Sequence, residues 1–116
     1  MKRLNSHQIG IDEGFVSLFD HWAQTTVMWD GAGERTVRAT VSFDEPFAEP
    51  PTVSLSIAVL DADNESYLRL NLRTEDVTTT DFTIAADTWE DTRIARLGMR
   101  WTAIGVLVDT DELWDV

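Results

Sequence analysis

The chain has 116 residues, enough for one hydrophobic core and too few for two, so a single domain over 1–116 is expected. It carries 21 Asp plus Glu against nine Lys plus Arg, and the net charge of −12 repels phosphate backbones and anionic membrane surfaces, which argues against nucleic acid as a partner. With no cysteine there is no disulfide, no thiolate nucleophile and no Cys-ligated metal centre.

The first thirty residues are weakly patterned. The N-terminus, MKRLNSHQIG, lacks the apolar run of a signal peptide, and no stretch reaches the length of a membrane span, so neither export by the usual signal nor membrane insertion is expected. Phe15, Ser17 and Phe19 alternate with Val16, Leu18 and Asp20, and Thr25 to Trp29 is strand-prone; two strands are expected here. Asp30-Gly-Ala-Gly33, followed by Glu34, reads as a glycine-bearing acidic loop. It is either a tight turn or a place where a carboxylate and a backbone N–H face a ligand.

From residue 36 onward the period is two. Val37, Ala39, Val41 and Phe43 form one strand; Val53, Leu55, Ile57 and Val59 a second; Leu68, Leu70 and Leu72 a third; Phe82, Ile84 and Ala86 a fourth; Met99, Trp101 and Ala103 the last. Turn signals at Asp44-Glu-Pro46, Glu49-Pro-Pro51, Asp61-Ala-Asp-Asn64 and Thr80-Asp81 separate them at about ten-residue spacing, the mark of an all-β sandwich or barrel. Apolar residues at spacing three and four are missing, which excludes helix in this part.

Four places could carry chemistry. Tyr67, Arg69, Asn71 and Arg73 share the polar parity of one strand and offer a row of donors, although surface ion pairing is the commoner explanation for such arginines. Thr88-Trp-Glu-Asp-Thr92 puts Trp89 in a polar loop, where its indole either stacks on the C–H face of a sugar or folds back as a lid on the core. Asp61, Asp63 and Glu65 alternate like the first ligands of a calcium loop, but its glycine and distal glutamate are missing, so a solvated turn and no metal is the reading. His7 and His21 are the only histidines, which leaves little for nucleophilic catalysis. Paired carboxylates of the glycosidase kind would need a desolvated cleft that a small sandwich scarcely provides. A non-enzymatic protein without a cofactor is expected.

Val41-Ser-Phe43, Pro46-Phe47, Pro50-Pro-Thr-Val53, Leu60-Asp61, Leu68-Arg69, Val77-Thr78, Asp81-Phe82, Thr88-Trp89 and Trp101-Thr-Ala-Ile-Gly105 occur in an order and spacing that resemble the H-type lectin domain over residues 36 to 105. The segment from His7 to Trp29 resembles that family's N-terminal strand region more loosely. The resemblance implies a six-stranded antiparallel β-sandwich, a homotrimer or dimer of trimers, and shallow sites for galactose or N-acetylgalactosamine on a glycan partner. It also implies that Arg69 donates to a sugar hydroxyl and Trp89 supplies an apolar wall. A loop acid, Asp30 or Glu34, would accept from hydroxyls, since the ungapped position is Ala32. Glu90 stands where the family has a histidine and Ala95 where it has a tyrosine. The alternative function is a structural or attachment module of a phage-like particle or fibre that keeps the trimeric scaffold without a working sugar site.

Overall fold

The computed structural model describes residues 1–5 and 8–108; His7 lies outside them. Six antiparallel strands, β1 (Ile9–Asp20), β2 (Arg35–Ser42), β3 (Thr52–Ala62), β4 (Asn71–Glu75), β5 (Asp81–Thr88) and β6 (Ile94–Val106), build two three-stranded sheets with orders β1-β6-β3 and β2-β5-β4. The two sheets pack face to face as the expected sandwich. Each presents one apolar parity inward: Val37 and Val41 from β2, Phe82, Ile84 and Ala86 from β5, and Leu97, Met99, Trp101 and Ala103 from β6. Phe43, Phe47, Phe82 and Trp101 interlock at the centre, with Phe43 stacked on Phe82 at 5.5 Å and Trp101 edge-on to Phe82 at 5.3 Å.

Three local expectations are corrected. Thr25 to Trp29 is no strand: Val27–Asp30 forms a single helical turn, α1. The extended Thr26 caps it by accepting from Met28 N–H, Asp30 N–H returns to Thr26 O at 3.1 Å, and the turn sinks Met28 completely into the core. Burial of one methionine and a threonine cap outweighs the β-propensity of the run. The third ladder is shorter than its alternation, because Tyr67 to Leu70 pair with no strand and only Asn71–Glu75 joins β5. Finally, the alternation of β3 holds only as far as Leu55. Val53 and Leu55 pack on the core, Ile57 at the bulge is exposed, and the bulge between Ile57 and Val59 shifts the register so that Val59 is exposed as well.

The antiparallel order gathers one set of strand ends at one pole: the ends of β1, β3 and β5 and the starts of β2, β4 and β6. Phe82 stands fully buried between the sheets. Phe82→Ala should lower the unfolding free energy by about 3–5 kcal/mol in urea melts, as expected for truncating a core aromatic to leave a cavity.

Candidate functional site

One buried cation organises this pole. Arg35, the first residue of β2, has the same parity as Val37 and Val41 and so points inward. Its Nε donates to Gly33 O at 2.9 Å. Nη1 serves the carbonyls of Val27, Met28 and Gly31 at 3.0–3.3 Å, and Nη2 serves those of Glu90 and Thr92 at 3.1 and 2.9 Å. No carboxylate takes part in these bonds. Carbonyl dipoles alone solvate the charge, and burial lowers the pKa of Arg35 from its ordinary value. The guanidinium thereby ties α1, the turn that follows it and the β5–β6 loop into one unit. Gly33 N–H donating to Glu90 O at 2.9 Å adds a direct link, and Gly33 itself turns with φ of +74°.

Against this unit lies an open cleft of about 480 Å³ lined by Glu34, Arg35, Thr36, Asn71, Asp87, Thr88 and Trp89. Its volume falls in the range of small-molecule sites, roughly 300–1,000 Å³. Trp89 is 38% exposed and thus an accessible wall, not a core lid. The floor is a polar ladder across β2, β5 and β4. Asp87 accepts from Arg73 at 2.9 and 3.0 Å, from Thr36 at 2.6 Å and from Asn71 at 3.1 Å. The Arg73 fork, helped by the Thr36 and Asn71 donors, holds the Asp87 carboxyl well below the usual carboxylate range. Arg73 also reaches Glu75 at 2.6 Å, and Glu75 in turn accepts from Arg38 at 2.8 Å, extending the ladder along the sheet.

The expected site residues separate in space. Glu34 and Trp89 line the cleft, whereas Asp30 ends α1 with an exposed side chain away from the lining. Glu90 contributes its carbonyl to Arg35 and Gly33 and turns the loop with φ of 58°, a left-handed conformation uncommon outside glycine. Arg69 stands beside the cleft: its carbonyl accepts from Thr88 Oγ1 at 2.5 Å. Its Nη1 donates to Asp91 at 2.7 Å and Thr92 at 3.2 Å, and its guanidinium carbon lies 5.6 Å from the centroid of the Tyr67 ring. That arginine holds the Asp91 carboxyl below its ordinary pKa. Among the described residues, Nε and Nη2 of Arg69 have no hydrogen-bond partner. Ala95 is fully buried and offers nothing to a ligand. The acids of the suspected calcium loop do not gather: Asp61 is taken by Arg96 and Trp22, and Asp63 Oδ1 accepts from Glu65 N–H.

Sequence reading passed over Arg35, Thr36 and Asp87. The signal for Arg35 was its parity, since an arginine two residues before Val37 on the apolar side of a strand is directed into the core. Asp87 and Thr36 meet only through the β2–β5 register.

Two outcomes follow from this geometry. Arg35→Met should cost about 3 kcal/mol of stability in denaturant melts, because the carbonyls it serves lose their donor inside the protein. The depressed pKa of Asp87 stabilises the fold above the ordinary carboxylate value, and that contribution is lost as pH falls below about 4. The wild-type melting temperature should therefore drop between pH 5 and pH 3 more steeply than that of Asp87→Asn, as measured by thermal unfolding across that range.

The H-type lectin domain model matches residues 38–104. ORF 7 of the ATP synthase subunits region of Fuscovulum blasticum is 38% identical over 116 residues, covering 100% of this chain and 99% of that protein. Two structures of discoidin II from Dictyostelium discoideum share the fold, with TM-scores of 0.75 and 0.74 at 24% and 25% identity over 90% and 86% of this chain. The chain spans about two-fifths of those discoidin II chains, 39% and 38%. A match across more than half of the chain, together with the shared sandwich, shows that the chain belongs to the H-type lectin domain family.

Proposed function

We propose that this protein is a carbohydrate-binding lectin that holds galactose or N-acetylgalactosamine-type sugars in the Trp89 cleft. The observation that carries this reading is the convergence of an exposed indole with Glu34, Thr36, Asn71 and Asp87 around one cleft. The indole covers the C–H face of a pyranose, Glu34 accepts from its hydroxyls, and Asn71 and the unengaged N–H groups of Arg69 at the edge supply donors. Of the two loop acids the resemblance leaves open, the cleft lining favours Glu34, which it includes.

Membership of a lectin-domain family points to a non-enzymatic protein. An open cleft in contact with water gives weak binding per site, on the order of micromolar to millimolar.

Avidity then depends on assembly, and the outer face of the β1-β6-β3 sheet supports a homotrimer. Ile9 pairs with Val106 and Ile11 with Ile104, forming an apolar patch toward the end of the sheet far from the cleft, with Ile11 68% exposed. Such a patch favours burial against another subunit. Three clefts facing one way would multiply the effective affinity on a glycan-coated surface.

A glycan array is the direct test. Terminal galactose-type glycans should bind the wild type, Trp89→Ala and Arg69→Ala should each reduce that binding at least about tenfold, and melting temperatures should stay nearly unchanged. Silence across the array from a folded protein would overturn the lectin reading and leave a scaffold module. Ile11→Asp should convert the oligomer to monomer in sedimentation experiments and lower array signal without altering the binding of a free monosaccharide.

A further inference from the structure

A second surface site lies on the opposite sheet at the same pole. Trp22 follows β1 and leaves 64% of its surface exposed, yet its ring is held in place. His21 meets it edge-on at 5.1 Å and Trp29 packs on it at 5.7 Å. Trp29 is itself buttressed by Arg93, whose guanidinium carbon lies 4.1 Å from the centroid of its ring and whose Nε donates to Trp29 O at 3.0 Å. The backbone N–H of Trp22 donates to Asp20 Oδ1 at 3.0 Å, fixing the base of the side chain.

Beside this indole, Arg96 occupies the central strand with Asp20 and Asp61 as its direct cross-strand neighbours on either side. Trp22 Nε1 and Arg96 Nε both donate to the same atom, Asp61 Oδ2, at 3.4 and 3.1 Å. Among the described residues, Asp61 Oδ1 and both Arg96 Nη groups remain without a hydrogen-bond partner. Asp20 and Arg96 also line a groove of about 200 Å³ with Phe15, Ser17, Val59, Leu97 and Gly98. An aromatic face, an acceptor and a forked donor therefore sit within hydrogen-bonding reach of one another, orientated before any ligand arrives.

We propose that Trp22, Asp61 and Arg96 form a second binding site for a neutral sugar ring, separate from the Trp89 cleft. The chemistry selects that ligand class. Asp61 Oδ1 accepts a hydroxyl proton while an Arg96 Nη donates to the same or the adjacent hydroxyl oxygen, and the exposed indole covers the ring's C–H face. Arg96 and Arg93 stand against Asp20 and Asp61, so neither sign dominates among these four groups, which suits a ligand without charge. Because the ring and the ion pair are already fixed, binding costs little further ordering.

The indole N–H resonances of a ¹⁵N-labelled sample, assigned by single Trp→Phe variants, read both sites in one titration with galactose, N-acetylgalactosamine, glucose and mannose. The Trp22 resonance should shift with at least one of these sugars in the Trp89→Ala background. Arg96→Met and the isosteric Asp61→Asn should each weaken that response at least about tenfold without moving the Trp89 response of the otherwise wild-type chain. A shift confined to Trp89 would overturn the second site and leave the lectin reading standing. Movement of neither resonance would sink both, and a Trp22 shift that persists in both Arg96→Met and Asp61→Asn would remove the ion pair from the site.

Discussion

The pole that carries the Trp89 cleft depends on how a single buried guanidinium is satisfied. A charge removed from water is tolerated only where polar groups replace its hydration shell, and around Arg35 those groups are carbonyls of α1, of the adjoining Gly31–Gly33 turn and of the β5–β6 loop far along the chain. The requirement runs both ways. The cation needs α1, the Gly31–Gly33 turn and the β5–β6 loop in fixed positions, and those loops, which have few ladder bonds of their own, need the cation to stay there. Trp89 precedes Glu90 and Glu34 follows Gly33, so both walls of the cleft are positioned by backbone atoms that Arg35 holds. A carboxylate in place of the carbonyls would pair with the charge but link only one loop.

The two sheets use polar groups differently. On the β2-β5-β4 sheet, Arg38, Arg73, Glu75 and Asp87 form a continuous ladder that engages its own charges internally. Exposed pairs of this kind contribute little stability singly, but in the ladder Arg73 and Glu75 are each oriented by two neighbours, which fixes the floor of the cleft. The β1-β6-β3 sheet carries an apolar patch at one end and, at the other, the Asp20, Arg96 and Asp61 row. Within the acidic excess, Arg38, Arg69, Arg73 and Arg96 are each paired with a carboxylate.

How much of this was legible follows from the range of the interactions. Alternation at Val37 to Val41 and at Phe82 to Ala86 is a local property with a period of two, so the strands and the sandwich class could be read directly. Thr25 to Trp29 misled because its fate is decided by burial of Met28 against the core, a tertiary effect that propensity does not contain. Val59 misled because a bulge after Ile57 reverses parity without changing composition. At the site, Trp89 was visible as an aromatic in a polar loop. The meeting of Asp87 with Thr36, Asn71 and Arg73 was not, since it depends on cross-strand register between segments far apart. Arg35 lay between these cases: its parity was readable, but its partners were not.

The row of Asp20, Arg96 and Asp61 illustrates what topology adds to chemistry. Each residue looks like an ordinary surface charge in sequence, and only the strand order β1-β6-β3 sets them side by side next to Trp22. The same order brings the β1, β3 and β6 ends to the pole that the other sheet uses for the Trp89 cleft, joined through Arg93, which sits between Thr92 and Ile94 and braces Trp29. Three of the five connections between strands, β1–β2, β3–β4 and β5–β6, meet at this pole and gather irregular backbone there, while the regular ladders behind it keep the geometry rigid. That division lets the β5–β6 loop carry Glu90 where the resemblance points to a histidine, because the core and the Arg35 carbonyl network use the Glu90 backbone and not its side chain.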